Sequence, residues 1–188
     1  VFGDRGTVAF WVKRSSLLSD PLYPLFLQSS SAWGRKERDL LRVDVGPDGK
    51  LKALVRDIFY NNHTVETAGP VWVNGEWQHV ALVFDQAYGL KLYHNGRLAA
   101  SNWGSDAWWQ APLAGLFSPF LPEADYDEIV TFDYPLDEAQ VGALCAANAI
   151  PEKPAARPPL DEAARKRLLL SYGDVDSLAL PTVRSAAC

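Results

Sequence analysis

Four carboxylates crowd one short stretch of this 188-residue chain, Glu123-Ala124-Asp125-Tyr126-Asp127-Glu128. Alternate residues of a strand share a face, and a β-bulge can bring a neighbour round. Two such carboxylates could then flank a glycosidic bond. A second constellation is aromatic. The segment from Asn102 to Pro122 holds Trp103, Trp108 and Trp109, out of seven tryptophans in all. It is long for a loop and too aromatic for a disordered one. A sugar's apolar face stacks on an indole, while Asn, Asp and Arg bond its hydroxyls. Trp103, Trp108, Trp109, Asn102 and Asp106, joined by Tyr60, Asn61 and His63, therefore form the expected glycan-binding face. The competing structural reading has these tryptophans plugging an open end of the fold or covering an edge strand. Trp11, Trp72 and Trp77 are assigned to the core.

Other chemistries find less support. His63, His79 and His94 stand apart from any acidic or nucleophilic partner in sequence, so no Ser-His-Asp or Cys-His arrangement can be argued from spacing. There is no glycine-rich phosphate loop. Cys145 and Cys188 lack metal-ligand spacing. An oxidising compartment would allow one disulfide between them. The simpler expectation is a buried thiol on a helix and a terminal thiol. Asn62-His63-Thr64 is a glycosylation sequon, of a kind that also arises by chance. The formal net charge is −5 and the basic residues are scattered, which is no footprint for nucleic acid. No apolar run reaches the length of a membrane span. The chain starts at Val1 and holds no Met, as expected of a processed or excised piece of a longer protein.

The elements that would position these residues are strands. From Trp72 to Ala100 two apolar-alternating runs are joined by a polar turn, and Asn95-Gly96 closes the next reversal. Trp77, His79, Ala81 and Val83 fall on one side, and Gln78, Val80, Leu82 and Phe84 on the other. Leu90, Leu92 and His94 then alternate with Lys91 and Tyr93. Earlier, Val8, Phe10 and Val12 oppose Thr7, Ala9, Trp11 and Lys13, a strand covered on both sides. Leu25 to Gln28 reads as a short buried strand, and Leu40 to Val45 and Gly49 to Arg56 as a hairpin across Pro47-Asp48-Gly49. Thr64 to Thr67 is a further strand, Asn102 to Pro122 is irregular, and Tyr126 to Phe132 is the closing strand. Asp137 then caps a helix, with Gln140 as its capping-box partner and Leu136 and Val141 as a hydrophobic staple. Val141, Leu144 and Cys145 make its apolar stripe. Ile150 to Pro159 reads as a linker, and Asp161 caps a second helix with Leu160, Ala164, Leu168 and Tyr172 on one face.

Three of these stretches carry a resemblance. W-x-H-V-A, an aspartate, then G-L-x-L-Y-x-N-G around Trp77 to Gly96 resembles the laminin-G-like domains of the concanavalin A-like lectin/glucanase group. The early strand G-T-V-x-F-W-V-K is similar to one of theirs, and Tyr126 to Val141 resembles their ending, an Asp-Glu strand followed by a turn and a short helix. The matches cover roughly the first four-fifths of the chain in the right order. The resemblance implies a further strand before the first one here, which the chain begins too late to show. It makes His79 a family histidine with a structural role. It also implies, in some members, one calcium at the sandwich edge. The candidates here are Asp125 and Asp127, with Asp4 or Asp106 as partners. E-x-D-x-x-E resembles the catalytic pattern of jelly-roll glucanases, with Glu123 and Glu128 as nucleophile and acid/base and Asp125 tuning them. The same alignment places Asp127-Glu128 on the laminin-G-like Asp-Glu pair, which argues against catalysis.

The expectation is an all-β, antiparallel jelly-roll β-sandwich over residues 1–149, closed by a short helix, with a Pro-rich linker and helical tail over 150–188. The expected function is non-catalytic recognition of a polysaccharide, a glycan or a neighbouring protein domain, within an exported multidomain protein. Extracellular, cell-surface or periplasmic placement follows, with no nucleic-acid partner and no membrane insertion. A purely structural module packing against other domains is the alternative, and a glycoside hydrolase ranks third.

Overall fold

The computed structural model describes residues 5–15, 25–29, 39–56, 61–104, 116–118, 124–154 and 159–165. Two five-stranded antiparallel sheets face each other. The first runs in the order β10 (Ala124–Phe132), β1 (Arg5–Arg14), β6 (Trp77–Asp85), β7 (Gly89–His94), β8 (Arg97–Ser101). The second runs β5 (Asn62–Glu66), β4 (Leu51–Arg56), β3 (Asp39–Val45), β2 (Phe26–Ser29), β9 (Leu116–Ser118). This is the jelly-roll-like sandwich that the resemblance implied, built of the antiparallel strands that the alternation predicts. β1 and β6 sit at the centre of the first sheet, which is why both are apolar on both faces. Between the sheets, Val8, Phe10 and Val12 of β1 meet Leu41, Val43 and Ala53 of the second sheet. Burying each Val, Leu or Phe side chain in this way stabilises the fold by about 1.5–3 kcal/mol.

Turn chemistry holds the reversals. Asn95 and Gly96 both adopt positive φ, +48° and +76°, as a two-residue hairpin requires. The Asn95 side chain also accepts from the His79 N–H at 2.9 Å, while its own N–H donates to the His79 carbonyl at 2.8 Å. Gly89 has φ +109°, and a Cβ there would lie 2.7 Å from Asn102 Oδ1, so only glycine fits. One strand escaped the sequence pattern. β9 pairs with β2 inside the 102–122 stretch read as irregular, because three residues are too few to show a period.

The outer face of the first sheet carries a second core. Helix α1 (Glu138–Ala147) lies on it, and Val141 and Leu144 pack with Ala9, Ala81, Val83 and Tyr93. Asp137 is the N-cap, and the capping box with Gln140 is complete: the Asp137 carboxylate accepts from Gln140 N–H at 2.8 Å, and Gln140 Oε1 accepts from Asp137 N–H at 2.9 Å. Thr7 joins strand to turn. Its hydroxyl donates to the Tyr134 carbonyl and accepts from the Leu136 N–H, both at 3.0 Å, all buried. After the helix the chain returns to the sandwich. The Tyr134 hydroxyl donates to the Pro151 carbonyl at 2.8 Å, and Lys153 pairs with Asp133. A helical turn at 162–165 is capped by Asp161, and Ala164 is fully buried. No described helix is long and apolar enough to cross a membrane.

Candidate functional site

Along β1 and β6 the side chains at alternate positions face outward. Ala9, Ala81 and Val83 lie beneath α1. The helix is ten residues long, about 15 Å, and stops at Asn148, whose left-handed backbone (φ +48°) ends it. Beyond that stop the same outward-facing rows run on past the end of α1. They leave an open groove of about 400 Å³ lined by Trp11, Trp77, Asp127, Glu128 and the helix end at residues 145–148. Trp77 is 44% exposed, and Trp11 is half-buried with the His79 ring edge-on to it at 5.4 Å. The assignment of Trp11 and Trp77 to the core is therefore corrected. Both lie on the outer face past the end of α1, where no described helix covers them, whereas Trp72 is buried as expected, at 8% exposure.

A β-bulge shapes one wall. Asp127 pairs with Trp11 and Val130 with Ala9, so Glu128 and Ile129 together oppose Phe10. Glu128 takes a left-handed φ of +50°, unusual for a residue with a Cβ. Two hydrogen bonds hold it. The Asp127 carboxylate accepts from the Glu128 N–H at 2.8 Å, and Asn148 Nδ2 donates to Glu128 Oε1 at 2.9 Å. The bulge and the helix stop are thus tied across the groove. Cys145, expected to be buried, is half-exposed and lines the groove, and burial of its remainder pushes its thiol pKa up.

Burial acts on two of the histidines, His79 and His94. Burial, reinforced by His94, lowers the His79 pKa to about 4. Its Nδ1 is buried without a hydrogen-bond partner. Burial lowers His94 as well. His94 Nε2 lies 2.8 Å from Gln78 Oε1, and that amide is fixed by Val73, whose N–H it accepts and whose carbonyl it bonds. Gln78 Oε1 is therefore the acceptor, and His94 carries its proton on Nε2.

The glycan-binding face expected from sequence is described only in part. Asn102 is committed to the fold: its Oδ1 accepts from Leu90 N–H, and its Nδ2 donates to the Thr64 carbonyl of the facing sheet. Trp103 is half-buried, stacks on Tyr88 at 5.2 Å, and has the Lys91 ammonium 4.6 Å from its ring centre. Trp108, Trp109, Asp106 and Tyr60 lie outside the described residues, as do Glu123 and Asp4. Asp125 and Asp127 both face outward from β10, where Asp125 opposes Lys13 and Asp127 opposes Trp11. β10 and β8 are opposite edges of the first sheet, four strand spacings or roughly 19 Å apart. Asp127 and Trp103 therefore serve different places.

For calcium, the described residues supply little more than this pair. Among them no three His, Cys, Asp or Glu side chains converge, and Asp127 already serves the bulge amide. The six to eight oxygens of a calcium site would come in addition from carbonyls, water or the segments outside the described residues. Sequence reasoning missed the groove itself. The signal was present, since alternation set Trp77 and His79 on the side of Ala81, but nothing local showed where the helix would stop.

Comparison with known proteins agrees with this architecture. The chain belongs to the laminin-G-like family described as the concanavalin A-like lectin/glucanases superfamily, whose model matches residues 2–142. No curated protein matches it significantly in sequence. Among solved structures, the receptor binding domain of botulinum neurotoxin D is similar at a TM-score of 0.58 and 14% identity, covering 79% of this chain and 38% of that one. The receptor binding domain of botulinum neurotoxin mosaic serotype C/D gives 0.55 and 14%, over 76% of this chain and 36% of that one. A heptameric SAP-like pentraxin from Limulus polyphemus gives 0.52 and 17%, over 79% of this chain and 72% of that one. The chain thus spans little more than a third of these neurotoxin domains. At these identities the likeness is one of fold.

Proposed function

We propose that the chain is a non-catalytic recognition module of an exported multidomain protein and that it binds a glycan in the groove beside α1. The exposed indole of Trp77 carries this reading. A large aromatic left open on a concave surface costs hydration, and stacking a sugar's C–H face relieves that cost. The Asp127 and Glu128 carboxylates on the neighbouring wall accept from sugar hydroxyls. The similar structures named receptor binding domains, and the pentraxin, make a binding role reasonable for the fold. The loop set of Trp103, Trp108, Trp109, Asn102, Asp106 and Tyr60 is proposed as a second contact surface, and Asp125 and Asp127 as the place for a calcium ion. A structural role is the second reading, favoured by the way Pro151 and Lys153 return to the sandwich.

A glycan and polysaccharide screen followed by calorimetry, in calcium and in chelator, tests the proposal. Trp77→Ala is expected to weaken binding about tenfold, the equivalent of about 1.4 kcal/mol, with the fold intact. Loss in Trp103→Ala with no change in Trp77→Ala would move the site to the loop surface. Binding that vanishes in chelator would place calcium in the site. No glycan bound in either condition would sink the reading in favour of the structural module.

A further inference from the structure

The charges around the groove say which glycan it takes, provided the groove is the binding site. Among its described lining residues the formally charged groups are Asp127 and Glu128, both negative. Each spends one interaction on the fold, Asp127 on the Glu128 N–H and Glu128 on Asn148 Nδ2. A carboxylate has two oxygens and about four acceptor sites, so both keep acceptor capacity for a ligand. The third wall is the C-terminal end of α1. A helix end carries about half a negative charge and carbonyls without intrahelical partners, and the last turn of α1 has no basic residue to offset them. The fourth contribution is aromatic: the faces of Trp11 and Trp77 attract cations through their quadrupoles.

With no calcium on Asp127, the neighbouring described groups do not reverse the sign. Lys13, on β1, is opposite Trp77 on one side and Asp125 on the other, so the formal charges of that cross-strand pair sum to zero. His79, edge-on to Trp11, is neutral above about pH 4. Cys145 has its thiol pKa pushed up and is uncharged at neutral pH. A neutral sugar entering here would strip water from two carboxylates and return hydrogen bonds that carry charge on the acceptor alone. A sugar bearing an ammonium returns charge-assisted bonds and a cation–π contact from the same position.

We propose that the groove recognises a cationic saccharide, one whose ring carries a free, unacylated amine, with the ammonium held by Asp127, Glu128 and the end of α1, and the ring stacked on Trp77. The test compares a glucosamine oligomer, its N-acetylated counterpart and a glucose oligomer by calorimetry at pH 6 in chelator, where the amine is largely protonated and no metal intervenes. The free amine is expected to bind at least tenfold more tightly than either neutral oligomer. Glu128→Gln, checked by thermal melting, should reduce that preference at least fivefold, weakening the amine oligomer more than either neutral one. Asp127→Asn is the second variant. Raising salt should weaken the amine oligomer selectively. Equal binding of all three oligomers through Trp77 would overturn the inference and leave the glycan reading standing. Binding of none would remove both. Competition by trilysine as effective as that of the amine oligomer would overturn the assignment to a saccharide.

Discussion

Two halves of one sheet face invite comparison. Beneath α1, the outer face of the first sheet is a sealed core in which Ala9, Ala81, Val83 and Tyr93 meet Val141 and Leu144. Two to four residues away along the same strands it is a groove with Trp11 and Trp77 on its walls. The strands are the same and the alternation is unbroken. The residues differ in kind: on β1 and β6, Ala9, Ala81 and Val83 are small or branched where the helix must approach closely, while Trp11 and Trp77 are large where it does not. A stable interface is built from many small fitted contacts. A ligand site is built from a few large surfaces and unspent hydrogen-bond capacity.

Changes on the two halves should therefore behave differently. The largest expected effect is on the covered side. Leu144→Ala should cost about 2–5 kcal/mol of stability in urea denaturation, because it empties space in a filled core. Trp77→Ala, although it removes a larger side chain, should cost under about 1 kcal/mol, since much of that indole already faces water. Equal costs would break the comparison.

The next effect tests the seam between the halves. His79 has a folded pKa of about 4 against 6.5 for an unperturbed histidine, so protons bind the unfolded chain more readily. The stability this contributes is full above pH 6.5 and is lost as pH falls from 6.5 towards 4, by on the order of 3 kcal/mol in total. His94, lowered by the same burial, adds in the same direction. Urea midpoints measured across that window should fall, and His79→Gln should flatten the decline. An unchanged slope in that variant would mean that the acid sensitivity lies elsewhere. A smaller effect returns to the covered half. Thr7→Val keeps the shape but strands the Leu136 N–H and removes the donor to Tyr134, at a cost of about 1–3 kcal/mol. A variant as stable as the parent would show that this turn does not tie the helix to the sheet.

Glu128 shows how a local irregularity serves the comparison. Its left-handed backbone is unfavourable for a residue with a Cβ, and the bonds from Asn148 and to Asp127 compensate. The result places two neighbouring carboxylates on the same groove, where regular strand geometry would send them to opposite faces. The spacing of the four carboxylates in sequence suggested this bulge. It did not reveal that its partner would be Asn148, twenty residues on.

What the sequence by itself determined is the set of features written in short-range terms. Period-two alternation settled which residues of β1, β6 and β7 face together. Asn95-Gly96 and Pro47-Asp48-Gly49 settled two reversals through backbone angles that few other residues tolerate. Asp137 and Gln140 settled where α1 begins, because a cap satisfies amides only three residues away. Tertiary structure alone decided the rest. The three-residue β9 exists only because β2 lies beside it. Asn102, read as a ligand contact, joins the two sheets because the fold brings Thr64 within its reach. Above all, the alternation placed Trp77 on a face and left open whether that face would be covered. Burial is a property of whatever packs on top, and α1 reaches the sheet from sixty residues further along the chain and stops short of that indole.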